Sequence, residues 1–159
     1  MNIKTLALLG FILMLPISVI AKPGLSFTLQ DRQGEPVTLE QFKGQVVYVD
    51  FWSSWCAPCQ QAFPWMAKMH DKYQQQGLTI VAINLDVAPE LADQFLLDFP
   101  SPFTVVYDPD STVAKAFDLQ GMPSSFIFNK QGQLVGRHVG FELKDVDQYE
   151  AFLQALLAQ

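Results

Sequence analysis

The residues best equipped for chemistry are two cysteines, Cys56 and Cys59, which are the chain's whole complement of thiols and stand three apart in Trp55-Cys56-Ala57-Pro58-Cys59. A thiolate attacks disulfides, and a second thiol one helical turn away can displace what the first has captured. Residues three apart share a helix face and lie within the Cα reach of a disulfide. As a staple the pair is poor, because so small a ring removes little chain entropy beside loops of about 15 residues or more. A passive local disulfide and a zinc site are the weaker alternatives. Closed zinc sites take four ligands, and beyond the cysteines only His70 and His138 offer nitrogen, with no second ligand pair. Each histidine alone reads as an ordinary surface or half-buried residue. No metal and no cofactor is expected.

The elements that must position the pair are legible on either side of it. Residues 46–52, Val-Val-Tyr-Val-Asp-Phe-Trp, form the β-branched and aromatic run of a strand buried on both faces. Residues 57–76 contain no glycine, Pro58 suits a first helical turn, and Gly77 follows as a stop, so a long helix is expected there. Cys56 therefore falls at a helix start, where unpaired N–H groups and the helix dipole favour an anion. That makes Cys56 the nucleophile and Cys59 the resolving thiol. Asp50 lies six residues before Cys56 in the apolar strand, where burial is costly unless the carboxyl group is protonated or paired. A solvated acid at the strand end is its alternative reading.

Around this centre the pattern predicts a hairpin from strands at 26–30 and 37–39, with turns at 31–34 and 41–44. Strands at 79–85 and 104–107 and helices at 89–99 and 111–117 follow. A second hairpin, 124–129 with 133–140, and a terminal helix from about 145 to 158 complete the order β-β-β-α-β-α-β-α-β-β-α. The expected fold class is α/β, a mixed central sheet with helices on both faces and an N-terminal β-hairpin extension. The active site should lie at the carboxyl end of a central strand. Asp86 ends a predicted strand and reads as a helix-capping or turn residue before Pro89. The 13 phenylalanines, Phe126, Phe128 and Phe152 among them, are spread over most elements and read as core.

A length of 159 residues suits one domain with a core large enough to need no disulfide framework. Fifteen of the first 21 residues are apolar; Lys4, an apolar stretch from Leu6 to Leu15, Pro16 and the ending Val19-Ile20-Ala21 read as a secretory signal peptide cut after Ala21. An uncleaved anchor is the alternative, since 17 residues is the lower edge of a span. Either reading exports residues 22–159 as one domain into an oxidising compartment, the periplasm in a Gram-negative bacterium. No cysteine precedes Cys56, which excludes lipid attachment at the end of the leader. Nine basic and 16 acidic residues follow position 21, a balance that makes nucleic acid and anionic lipid poor partners.

With these motifs in place, the chain resembles the thioredoxin superfamily and, within it, the exported TlpA-type thiol-disulfide oxidoreductases, over roughly residues 26–158. The segments that carry the resemblance are 46–52, Trp55-Cys56-Ala57-Pro58-Cys59, Val105-Val106-Tyr107-Asp108-Pro109, and Gly121-Met122-Pro123-Ser124-Ser125-Phe126 with Gly132. The resemblance implies a cis bond before Pro123, beside the dithiol, with Met122 and Pro123 forming a substrate groove. It implies that Trp55, with Pro58, belongs to the docking patch while Trp52 packs beneath. It also implies a place near the dithiol for Asp86. In thioredoxins a buried aspartate at the place of Asp50 shuttles protons to the resolving cysteine; many TlpA-type members lack it, so this chain departs towards the thioredoxin pattern.

The expected function is that of an exported protein-disulfide reductase, monomeric, acting on protein thiols and disulfides and re-reduced by a membrane thiol-disulfide donor. Cytochrome c maturation is one client setting the family offers. A net oxidase or isomerase uses the same residues. A peroxidase of the same fold would need a proline and a hydroxyl residue where Val49 and Trp52 stand. A copper-holding module would use a wider cysteine spacing, and a passive holdase would not need both thiols.

Overall fold

The protein is described by a computed structural model that covers Gly24 and residues 26–159; the expected leader, 1–21, lies outside the described residues. Strands β1 (Thr28–Gln30) and β2 (Pro36–Thr38) form the expected antiparallel hairpin. Its turn is closed by Asp31, whose Oδ1 accepts the amides of Gln33 and Glu35, both at 2.9 Å. The second strand then gives way to a 3-10 turn, Leu39–Phe42, where residue 39 was expected to be extended. Leu39 is fully buried there, so tertiary packing outweighs its strand pattern.

Strand β3 (Val46–Trp52) is buried at all seven positions. Helix α1 (Ala57–Tyr73) follows, and residues Gln74–Gln76, expected as its last turn, tighten into a 3-10 turn before Gly77 at φ 94°. Pro64 lies inside α1 without ending it. Pro64 and Gln60 are both exposed, so solvent can pair with the Gln60 carbonyl that Pro64 leaves without a donor. Next come β4 (Leu78–Asn84), α2 (Pro89–Asp98), β5 (Thr104–Tyr107), α3 (Thr112–Ala116), β6 (Ser124–Phe128), β7 (Leu134–Val139) and α4 (Val146–Leu157). The element order and the α/β class match the expectation.

The seven strands form one sheet in the order β2-β1-β5-β4-β3-β6-β7. β3, β4 and β5 run parallel, and the other pairs are antiparallel. The hairpin is not an appendage, since Gln30 pairs with Tyr107 and Arg32 forms an ion pair with Asp93 of α2. One face of the sheet packs against α1, α2 and α4, and the other against α3 and the Leu39–Phe42 turn. On the first face Trp52, Phe63 and Phe95 meet with ring centroids 4.6 to 4.9 Å apart, joining the end of β3 to α1 and α2. Each such buried aromatic is worth roughly 1.5–3 kcal/mol of hydrophobic stabilisation. Among the described residues no helix is long and apolar enough to cross a membrane.

Candidate active site

The parallel strands β3 and β4 set the site, because their carboxyl ends meet at one end of the sheet. Ser53, Ser54 and Trp55 turn the chain from β3 into α1, and Cys56 is the N-cap residue of that helix, with φ −87° and ψ 102°. The turn is tied to β4 from below. The Leu85 amide donates to the Trp52 carbonyl at 2.9 Å. Asp86, 3% exposed, accepts the Ser54 amide at 2.9 Å and the Ser54 hydroxyl at 3.0 Å. It also accepts Asn84 Nδ2 at 2.8 Å. Asp86 thus fastens the loop before the nucleophile, while Ala88, the N-cap position of α2, provides no side-chain cap.

Cys56 and Cys59 are joined in a disulfide with Cα atoms 5.3 Å apart, inside the range such a bond allows. The two sulfurs are not equivalent. Cys56, itself only 4% exposed, lines a groove of about 860 Å³, whereas Cys59 has no exposed surface and is absent from the groove wall. Trp55, Pro58 and Met122 line the groove with Cys56, together with Lys115 and Leu119. Trp55 is 72% exposed and Trp52 wholly buried. The Met122–Pro123 bond is cis. Pro123 itself is buried and does not line the groove.

Asp50 alternates with Tyr48 and Trp52 on the face of β3 that α1 covers, the face that also buries Cys59. At 1% exposure it is not the solvated strand-end acid of the alternative reading. The Ser125 hydroxyl donates to Oδ1 at 2.7 Å, and Oδ2 has no partner. Burial pushes the Asp50 carboxyl up to about 7, with the Ser125 hydrogen bond pulling the other way. Tyr48 and Ser125 were missed in the sequence, although a tyrosine among valines and a Ser-Ser pair opening an apolar strand were visible signals. The α3 wall of the groove was missed as well.

His138 is half-buried against Tyr149, ring centroids 4.9 Å apart, and burial lowers its proton affinity. His70 packs on Phe103. Among the described residues no cluster of three or more metal-binding side chains exists. Val49 and Trp52, where a peroxidase would need its activating residues, are both packed in the core.

Comparison with known proteins agrees with this geometry. The thiol-disulfide oxidoreductase ResA of Bacillus subtilis is 34% identical over 110 residues, which cover 69% of this chain and 62% of that protein. The ResA of Bacillus cereus is 28% identical over 137 residues, 86% of this chain and 78% of that one. Among solved structures, a putative thiol:disulfide interchange protein DsbE from Chlorobium tepidum is 38% identical with a TM-score of 0.81, over 86% of this chain and 99% of its own. A putative thioredoxin from Neisseria meningitidis gives 28% identity and a TM-score of 0.72, over 85% and 91%. The fold is thioredoxin-like. The AhpC/TSA family matches residues 20–137, and the chain belongs to that family, among its thiol-disulfide oxidoreductases.

Proposed function

We propose that the protein is an exported reductase of protein disulfides, working through the Cys56–Cys59 pair. The observation that carries this reading is the asymmetry of the dithiol: Cys56 opens to a groove at a helix start, and Cys59 is enclosed behind it. In the reduced protein the Cys56 thiolate attacks one sulfur of a client disulfide. A Cys56–client bond forms and the other client sulfur leaves as a thiolate, which takes a proton from solvent. Cys59 then gives its proton to the Asp50 carboxylate and attacks the Cys56 sulfur. The second client sulfur leaves as a thiolate and takes a proton from solvent, Asp50 gives up its own, and the client departs two electrons richer while the Cys56–Cys59 disulfide remains. Trp55, Pro58 and Met122, which line the groove, hold the client segment beside Cys56.

Repetition needs an electron source, and a membrane protein presenting a dithiol is the class that fits an exported domain. Residues 1–21 are the export signal, cut or retained as an anchor, and residues 22–159 act as a monomeric domain on the far side of the membrane. The apolar leader supports that placement.

Cys59→Ser tests the mechanism, because a trapped mixed disulfide cannot be resolved. Expressed in the native compartment, the variant should accumulate client adducts on Cys56 that dissolve in reductant. No adduct, or adducts equally abundant in Cys56→Ser, would sink the exchange reading. Titration against glutathione tests direction. A reduction potential well below about −200 mV supports a reductase, and one near −120 mV an oxidase.

A further inference from the structure

Asp50 lies in a row of residues that the strand register places side by side: Val105, Ala82, Asp50, Ser125 and His138, from β5 across to β7. Residues opposite one another share a face of the sheet. Ser125 therefore stands beside Asp50 and donates to Oδ1 at 2.7 Å. Tyr48, two positions back on β3, is 2.7 Å from the Ser125 oxygen through its phenol. Asp50, Ser125 and Tyr48 are 1%, 3% and 4% exposed, so water does not compete freely for these bonds.

The hydroxyl protons give the chain a direction. With Asp50 ionised, Tyr48 donates to Ser125, Ser125 donates to Oδ1, and every hydroxyl proton has an acceptor. A proton on Oδ1 would be donated to Ser125, whose oxygen can accept from Asp50 and Tyr48 together. The Ser125 hydroxyl proton would then lose the acceptor it uses here. The unpartnered Oδ2 is free of that conflict. The chain thus favours the carboxylate, in opposition to burial, and steers the proton to one oxygen.

We infer that Ser125 and Tyr48 are positioning residues for disulfide exchange: their hydroxyl chain fixes Oδ1 of Asp50 and leaves Oδ2 to take and return the Cys59 proton. This rests on the proposed role of Asp50 as proton acceptor. The other titratable groups facing the cluster are Cys59 from α1, His138 from β7 and Tyr149 from α4. Glu150 of α4 is engaged by Lys72 and Tyr73 instead. No lysine or arginine is buried among the described residues, and the Ser125 hydroxyl is what offsets burial at Asp50.

The test is carboxyl-carbon NMR titration of Asp50 in the full protein, paired with the pH profile of exchange measured by rapid mixing. Ser125→Ala should raise the carboxyl midpoint by about one pH unit, the order expected for losing one hydrogen bond to a charged group. Tyr48→Phe should raise it by less, because Ser125 keeps its proton for Oδ1. The exchange profile should move upward with the midpoint in both variants. A merely structural role would lower stability and leave midpoint and profile in place, and that result overturns the inference. Should Ser125→Ala not fold, Tyr48→Phe decides alone. Asp50→Asn separates the two readings. An unchanged exchange rate in that variant defeats the acceptor role, whereas an unmoved midpoint in Ser125→Ala defeats the hydroxyl chain even if Asp50→Asn is slow.

Discussion

A carboxyl group held near neutrality in the folded chain makes Asp50 costly as well as useful. Burial raises it from an ordinary 3.8 to about 7. Between those values the folded protein holds a proton that the unfolded chain has released. Stability from this group is therefore full below about pH 4, falls as pH rises through about 7, and is level above. Three units at 1.36 kcal/mol each put the loss at about 4 kcal/mol as an order of magnitude. Asp50→Asn removes the slope but leaves an amide nitrogen where Oδ2 had no partner, which costs about 1–3 kcal/mol. The variant should thus be more stable than the wild type at pH 8, by about 1–3 kcal/mol in urea unfolding, and no more stable near pH 4. Equal stabilities at pH 8 and pH 4 would mean that Asp50 does not hold its proton as the structure implies. Its exchange should be slower at pH 7 even as the fold gains stability.

The junctions between elements were harder to read than the elements. Period and composition place β3 and α1 around the dithiol because the signals are local: a β-branched run, a proline in the first turn, a glycine stop. The Asp50–Ser125 contact spans 75 positions and depends on the antiparallel register of β3 with β6, which no local pattern carries. The groove wall is similar. α3 has five residues, and its first turn is held by Asp108, which accepts the Thr112 and Ala114 amides at 2.9 Å each. Its place beside the dithiol follows from the sheet order alone. Asp86 was read either as an acid near the dithiol or as a turn residue before Pro89, and its carboxylate turns back to Ser54 and Asn84. Asp86→Ala should therefore loosen the turn that presents Cys56. The expected result is a loss of about 1–3 kcal/mol, from donors left unpaired, with faster hydrogen exchange at the Ser54 amide and slower attack on disulfides. Unchanged Ser54 exchange would remove Asp86 from the presentation of the nucleophile.

For the molecule as a whole, the direction of electron flow is a statement about folding. The reduction potential of the pair differs from that of the same cysteines in the unfolded chain by the difference in stability between the oxidised and reduced folds, about 1.4 kcal/mol for each 30 mV. A reductase must fold more stably with its disulfide closed, and a strong oxidant more stably with it open, because the oxidant's site stabilises the reduced form. Here any thiolate charge on the fully buried Cys59 would sit in low-dielectric surroundings, which disfavour it. Only the start of α1 favours an anion, at Cys56. The closed form seals Cys59 without charge against the core formed by β3, α1, α2 and α4. The oxidised protein should therefore unfold at higher urea concentration than the reduced one, by about 1–3 kcal/mol, with the same slope in denaturant because the same surface is exposed. The measurement needs no client and no donor, only the two redox forms under identical pH and salt. A reduced form more stable than the oxidised one would reverse the direction and make the protein an oxidase on the same residues.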